Sequence, residues 1–532
     1  RRTERQLEKQ RTRHHHWGQL LAQPPAGLIA RLRHWWIGQA ISREKKPFWN
    51  QLRNHHHQLE GHVGIITRLT NTRYRHRLRS HGGTWDSLKQ FRKALGARSS
   101  KAQADYFSKI HFPDLFFQFP VWLTNLGDAN ESLPMEEGLF DLAIIDEATQ
   151  CDMASCLPLL QRAKRAVIVG DPKQLRHLSF LPRTQQQEFA EAQGLSREET
   201  ESYDYRETSL LDRAIDSLAT PDDLHCLDEH YRSREPIIAF SNRHFYEDQL
   251  AVMTSTPGEE TGKTLVLHRT EKKRTKSGAN PGEADALLAT LSEIIQAESA
   301  LEDAQCTSIG ILSPFRAQVD HLARKLGKTH DLRDLERHRI MVGTAHTFQG
   351  EERDFMLLSF CVDDESVSAS FRFMERPDVF NVAITRARHQ QHLFYSLDPA
   401  RLPVDSLLRK YLSFSAAPGT SDGSTVQAET YSAFAREVCE ALETRGFQTQ
   451  LAFSVAGWIV DIVARKEGKA IGIDLIGGDE VEGSPAMAPG LTTERYRMFH
   501  RCGFPIFPLP FANWKYGQGK CLEALESLLT TS

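Results

Sequence analysis

Asp146 and Glu147 close a short apolar run, Leu142 to Ile145, and Gln150 follows three residues on. An all-apolar run that ends in acids is how a central parallel strand delivers carboxylates to its C-terminal edge. There Asp146 can hold Mg²⁺, directly or through water, while Glu147 polarises an attacking water, an arrangement suited to phosphoryl transfer. A second run, Ala166 to Val169, leads into Gly170, Asp171, Pro172, Lys173 and Gln174, which sets Gln174 where a γ-phosphate or a water can be sensed. Farther on, Arg386 in the run Asn381 to Arg388 offers a planar guanidinium, the group best suited to neutralise charge spread over a transferring phosphoryl.

Such chemistry needs a cradle of backbone amides and a lysine, written G-x-x-x-x-G-K-[ST]. Two G-K-T tripeptides exist, and both fail the spacing: Gly262-Lys263-Thr264 has Pro257 where the first glycine belongs, and Gly327-Lys328-Thr329 has Leu322. Both also follow the acidic pair instead of preceding it. The chain opens on Arg1 and Arg2 without methionine, and the expectation is a piece of a longer protein whose phosphate loop lies upstream.

The elements that must position these groups read as alternating buried strands and helices from Phe140 onward, an α/β pattern. At 532 residues with 40% hydrophobic content the chain has material for three or four domains with full cores. No apolar stretch approaches the roughly 20 residues of a membrane span, so no membrane partner is expected. Eight scattered cysteines without a C-x-x-C pair disfavour a disulfide framework and fit a reducing, cytoplasmic setting. Net charge is only −3, but residues before about 112 carry about two dozen Lys and Arg against about six acids. Arg73, Arg75, Arg77 and Arg79, flanked by Tyr74 and Trp85, offer a backbone-tracking, base-stacking arm or else the solvated face of a helical insertion. The consecutive triplets His14 to His16 and His55 to His57 diverge on a helix and make poor metal tracts.

The runs D-E-A-T-Q and V-G-D-P-K-Q-L together resemble superfamily 1 helicases of the branch that holds the nonsense-mediated-decay RNA helicases and their DNA-replication relatives. The resemblance continues through His230-Tyr231-Arg232, Ser313-Pro314-Phe315-Arg316-Ala317-Gln318, Gly343-Thr344-Ala345-His346-Thr347-Phe348-Gln349-Gly350-Glu351-Glu352 and Asn381 to Arg388, in the family's order. It implies two RecA-like P-loop NTPase lobes, ATP with Mg²⁺ as cofactors, and ATP-driven movement, 5′ to 3′, along single-stranded nucleic acid, DNA favoured over RNA. By the same resemblance Asp146, Glu147, Gln174, Arg232 and Arg386 are catalytic, and Asp171, Gly350 and Glu352 belong to the nucleotide. Thr124 (at the end of a strand resembled by Phe119 to Leu126), Pro314, Gln318, Thr344 and His346 belong to the strand of nucleic acid.

Beyond a Ser, Ala, Gly, Thr and Pro-rich linker at 413–426, a helix over Phe434 to Phe447 precedes strands near 449–453, 458–465 and 470–476. Asp461 and Asp474 are spaced to share a divalent metal, with Glu437 as a further ligand, and the region resembles the small restriction-endonuclease-like domain, of PD-(D/E)xK type, appended to such helicases. Ile476 stands where that family wants a lysine or another polar residue, which argues for weakened or absent cleavage. The expected organisation is therefore a basic helical region at 1–112, an insertion or stalk of the first lobe; the rest of that lobe at 113–215; a second lobe at 216–412; the linker; and a nuclease-like domain at 427–532. Two other functions fit the residues less well: a metal-dependent nuclease positioned by the motor, or a nucleic-acid-binding scaffold without ATPase activity.

Overall fold

The computed structural model describes the chain except residues 1, 45, 81–83, 178, 180, 203, 255–262, 272, 367–374, 418–431, 456–457, 479–490 and 532. The chain is a mixed α/β structure that divides into two compact units. One comprises Asn54–Pro172 and Arg176–His225, the other Arg1–Arg53, Lys173–Leu175 and Cys226–Ser532.

In the first unit β1 (Ala143–Ile145) pairs in parallel with β2 (Ala166–Ile168), Ile144 opposite Val167. One edge of the pair leans on a core of Ile145, Ala148, Cys156, Leu210 and Leu211. Upstream, Ile110, Phe112, Leu115, Ala129 and Leu133 gather Phe91, Phe116, Trp122 and Phe140 into an aromatic core. The segment expected as a strand at Phe119 to Leu126 is not one: Phe119 caps a short helix, residues 120–125 have no regular secondary structure, and a new helix opens at Leu126 under the Asn125 cap. With no neighbouring strand to take its amide and carbonyl groups, an apolar run of this length stays coil.

The second unit is built on two sheets. The first runs β5 (Leu265–Arg269), β9 (Ala387–Ser396), β8 (Arg353–Asp363), β6 (Ile309–Leu312), β7 (Met341–Gly343), all parallel. β6 is buried at every residue, and β8 from Met356 onward, as expected for a sheet with helices on both faces. One face packs on the helices Glu235–Phe245, Pro377–Ile384 and Leu407–Ala416, the other on Pro281–Ala297 and Arg316–Thr329. β5 is an edge strand, its apolar Leu265, Val266 and Leu267 pairing beside β9. A small parallel pair, β3 (Glu229–His230) and β4 (Ala251–Val252), adjoins.

The second sheet runs β10 (Gln448–Val455), β11 (Trp458–Lys466), β12 (Lys469–Ile476), β13 (Ile506–Pro510). The helix Ala433–Glu443 covers one face as the periodicity predicts, ending before Gly446 at φ 82. The linker starts later than its composition suggests. Leu407–Ala416 is helical, with Tyr411 and Leu412 buried and Ser415 donating to the Tyr411 carbonyl, and the remainder, from 418, lies outside the described residues.

The basic region divides instead of forming one arm. α1 (Arg2–Ala22) and α2 (Leu28–Ser42) pack on the helix Phe511–Thr531, burying Leu21 and Ile37 against Ala512, while Leu7, Phe48 and Leu52 enter the core of the second sheet. These apolar side chains, spaced among the arginines, decide where residues 1–53 go. α3 (Phe48–Ser80) runs on into the first unit, where Gln118 Nε2 donates to the Arg77 carbonyl at 2.7 Å and the Arg77 guanidinium sits 5.1 Å over Phe117. Tyr74 packs against Phe119, and Arg73, Arg75 and Trp85 stay exposed.

Candidate active site

β1 ends where its apolar run ends, and Asp146 emerges exposed at its C-terminal edge. The Asp146 Oδ1 accepts from the Glu147 amide at 2.9 Å, and the Glu147 carboxylate accepts from Gln150 Nε2 at 3.3 Å. Glu147 lies at φ 53, ψ 40, a left-handed conformation uncommon outside glycine and typical of constrained functional turns. The turn is tied down from β2: the Ala148 amide donates to the Val169 carbonyl at 2.9 Å. Gly170 packs so tightly beneath it that a Cβ would lie 3.2 Å from the Ala148 nitrogen and 3.3 Å from the Thr149 nitrogen. A carboxylate pair on the lip of a parallel strand, Asp146 exposed and Glu147 half-buried, fits a hard cation such as Mg²⁺.

A second constellation lies in the other unit. Glu352 is gripped from two sides, by Arg232 and by Arg388, whose Nε donates at 2.9 Å. Burial works against the Glu352 charge, but the Arg388 hydrogen bond and the nearby Arg232 charge hold its carboxyl below the usual range. Beside it His230 is pushed down to about 4 by burial and by Arg232, so it stands neutral at pH 7. Arg388 also reaches Asp354, at 3.6 Å. Arg386 points elsewhere: nearly fully buried, it donates from Nε to the Val382 carbonyl at 3.0 Å and from Nη2 to Gln174 Oε1 at 3.2 Å. Gln174 is held there because Lys173–Leu175 belong to this unit, with Leu175 in its core and Asn381 Nδ2 donating to the Lys173 carbonyl at 3.0 Å.

The structure thus joins Gln174 to Arg386, and Arg232 to Glu352. Sequence reasoning quoted Arg388 and Asn381 within a motif but gave them no role, although Arg388 shares Glu352 with Arg232 and Asn381 anchors the segment bearing Gln174. The repeated arginine of T-R-A-R, two residues apart at the start of β9, was the available signal.

The expected nucleic-acid residues divide. Thr124 is exposed in the coil before Asn125, Thr344 is half-buried with its hydroxyl 3.4 Å from that of Thr347, and half-buried His346 is pushed down by burial and by Arg376, against Asp378. Pro314 lines a small apolar cavity with Leu312, Leu358, Val379 and Phe380. Gly350, at φ 73, makes the turn beside Glu352, and Asp171 is half-buried after β2. Gln318 is a correction. It is fully buried, its Oε1 accepting from the Asn280 amide at 2.8 Å and its Nε2 donating to the Asn280 carbonyl at 3.1 Å and to Ser359 Oγ at 2.9 Å. All its hydrogen-bonding capacity in this network is spent inside the protein. The lysine of Gly327-Lys328-Thr329 falls in the last turn of the helix Arg316–Thr329, at its carbonyl end, which disfavours an anion, while Gly262 lies outside the described residues.

In the C-terminal sheet the antiparallel register that sets Ile462 opposite Ile473 brings Asp461 and Asp474 together. Both carboxyls are pushed up, Asp461 by burial and by the Asp474 charge, Asp474 by burial that Tyr496 and Arg11 partly oppose. The pair is closed by protein: the Leu475 amide donates to Asp461 at 2.7 Å, the Leu491 amide to Asp474 at 3.2 Å, and the Tyr496 hydroxyl also bonds Asp474. α1 lies over this end of β12, with Gly18 so near Gly477 that a Cβ would come to 2.7 Å, and with Glu8 accepting from the Thr493 amide at 2.7 Å. Glu437 does not join the acids. It sits on the helix covering the opposite face, where Ile473 and Leu475 point, and accepts from the Trp514 indole at 3.0 Å. Ile476 is buried in the core with Leu7, Phe48 and Tyr496. These residues do not fit a catalytic metal. Among the described residues one other cluster, Glu298, Cys306 and His338, has metal-ligand atoms within 4.8 Å of one another. Its donors are committed to one loop, Glu298 accepting from the Thr307 amide at 2.8 Å and His338 Nδ1 lying 3.0 Å from the Thr307 carbonyl.

Two family models, each described as an AAA domain, match this chain, one over residues 2–178 and one over 206–394. The chain is 26% identical over 312 residues to the uncharacterized ATP-dependent helicase MG140 of Mycoplasma genitalium, covering 54% of this chain and 26% of that protein. It is 26% identical over 340 residues to the DNA polymerase alpha-associated DNA helicase A of Saccharomyces cerevisiae, covering 58% and 45%. It is 27% identical over 286 residues to the DNA replication ATP-dependent helicase/nuclease DNA2 of Gallus gallus, covering 52% and 25%. The matched part is thus less than half the length of each of these relatives. A solved PRRSV helicase aligns at 15% identity with a TM-score of 0.23, over 48% of this chain and 35% of that one, too weak a likeness to carry an argument. Each of these three relatives is named as a helicase.

Proposed function

We propose that this chain carries the hydrolytic and charge-compensating groups of a superfamily 1 helicase or translocase with two RecA-like lobes, acting on single-stranded nucleic acid, DNA before RNA, in the 5′ to 3′ direction. The observation that carries the reading is the pairing of motif residues by charge and hydrogen bonding: Glu352 between Arg232 and Arg388, and Arg386 on Gln174. Residues far apart in sequence meet here in combinations that a merely structural set of ion pairs has no reason to assemble from successive motifs. The DNA preference draws on relatives whose names state DNA helicase or DNA replication.

ATP would supply the phosphoryl group whose transfer to water drives the cycle, and Mg²⁺ would neutralise charge on its phosphates. Asp146 would hold the cation. Glu147, fixed in its turn by Gln150 and by the Ala148 bond to β2, orients and deprotonates the attacking water. Arg386 and Arg232 meet negative charge that builds on the transferring group, and the hydrogen bond between Arg386 and Gln174 makes loss of one felt by the other.

No G-x-x-x-x-G-K-[ST] occurs within residues 1–532. The test is therefore ATP hydrolysis by residues 1–532, alone and joined to a segment bearing that loop, with and without single-stranded DNA or RNA. Strand-stimulated turnover supports the reading, and the polymer that stimulates more names the substrate. A folded protein with the loop in place and no stimulated turnover refutes it.

A further inference from the structure

α2 has one anchored face and one open face. On the anchored side Ile37 and Gly38 are buried, and a Cβ at Gly38 would come within 2.9 Å of the Tyr516 ring. The Tyr516 hydroxyl donates to the His34 carbonyl at 2.9 Å, and His34 Nε2 lies 3.0 Å from the Leu20 carbonyl. The helix therefore cannot roll to hide its other side. There Leu28, Ile29, Leu32, Trp35 and Trp36, at i, i+1, i+4, i+7 and i+8, form one continuous apolar stripe. Trp35 is 64% and Trp36 59% exposed.

The charge around the stripe has one sign. From Lys9 to Arg43 the sequence holds no acidic residue, while Arg11, Arg13, Arg31 and Arg33 lie within it. Glu44, the first acid after it, is engaged with His14 at 3.4 Å and with Asn513 at 3.2 Å. The aromatic row also continues onto α1: Trp36 meets Trp17 edge-on at 6.1 Å, and the Arg13 guanidinium lies 4.9 Å over the Trp17 ring. Exposed indoles on a rigid helix, flanked by arginines in a stretch of sequence without acids, complement a polyanion that carries flat apolar bases.

We infer that α2 is a stacking surface for single-stranded nucleic acid, on which Trp35 and Trp36 take bases while Arg31 and Arg33 take phosphates. The inference rests on the proposed function, since the strand held here is the polymer on which the motor acts. It extends that reading to a site outside the helicase motifs.

The experiment is titration of residues 1–532 into fluorescently labelled oligodeoxythymidylate and oligouridylate, read by anisotropy over a range of salt, with parallel sedimentation on vesicles containing an anionic lipid. Both tryptophans are exposed, so Trp35→Ala/Trp36→Ala leaves the fold intact, checked by circular dichroism. That variant binds the oligonucleotide at least about fivefold more weakly, the lower end of one lost base stack. Trp35→Phe/Trp36→Phe recovers part of the loss. Arg31→Ala/Arg33→Ala lowers the slope of log affinity against log salt by about 0.7 per arginine. If the wild-type chain binds and both alanine variants match it, the inference is overturned and the proposed function stands. If the wild type binds no strand at any salt, both fall. If the tryptophan variant loses vesicle binding but not oligonucleotide binding, the surface belongs to a membrane and the inference is overturned.

Discussion

The two parallel sheets that carry the candidate catalytic residues differ in how completely they are closed. In β6 of the five-stranded sheet Ile311 is 0% exposed, and helices cover both faces. In the β1–β2 pair Ile144 is 66% and Val167 45% exposed. Parallel strands are normally buried on both faces, so β1 and β2 offer apolar surface that a third strand or a helix would cover. The charged residues follow the same division: Arg232, Glu352, Arg388, Arg386 and Gln174 are already knitted together, whereas Asp146 stands open to solvent. The closed sheet has these polar groups already paired, whereas the open pair leaves Asp146 to solvent.

The largest effect that would sharpen this contrast is on turnover. Glu147→Gln removes the proposed general base and should lower strand-stimulated hydrolysis by about 10²-fold or more, with nucleotide binding kept. Normal turnover in that variant would break the assignment of β1 as the hydrolytic strand. Arg386→Ala should cost a comparable factor and also stability, because it leaves Gln174 and the Val382 carbonyl without their buried donor. Arg386→Lys should not restore the rate, since an ammonium cannot serve both partners in the same geometry.

Next comes the same substitution in both sheets, followed by urea unfolding. Ile311→Ala should destabilise by about 2–5 kcal/mol, and Ile144→Ala by less than about 1 kcal/mol. Equal losses would show that β1 is as well covered as β6. The smallest effect is one of pH. Glu283, fully buried under Ser359, Ser396 and the Cys361 amide, has its carboxyl pushed up to about 7, chiefly by burial. A raised folded-state value means that the native form holds the proton more tightly. Its stabilising contribution is complete below about 4.5 and is lost as pH rises through about 7. The melting temperature should decline across that window, and Glu283→Gln should flatten the decline; an unchanged slope would show that Glu283 does not titrate there.

Local pattern made the strands and their terminal charges legible. Leu142 to Ile145, Ala166 to Val169 and the three C-terminal strands appear within a residue or two of their expected places, because an apolar run ending in Gly or acid needs only its own neighbours to be recognised. What escaped was set by distant partners. Gln318 stands in a motif at the start of a helix, and only the fold shows that it turns inward to Asn280 and Ser359. Glu437 and Asp474 both face the same sheet, but from opposite sides, which no spacing along the chain reveals. The basic composition of residues 1–53 hid the few apolar side chains, Leu7, Leu21, Ile37 and Phe48, that fasten them to the C-terminal sheet and helix.

The central claim of the proposed function is that Glu147 and Arg386 act in the same hydrolysis reaction. It is tested most directly by a double-mutant cycle on strand-stimulated ATP hydrolysis, measured in a chain carrying the phosphate loop, with Glu147→Gln, Arg386→Ala and both together. Groups acting in one transition state are strongly non-additive, so the double variant should be little slower than the slower single variant. Rate losses that simply multiply would mean that the two residues act in separate steps, and would contradict the account.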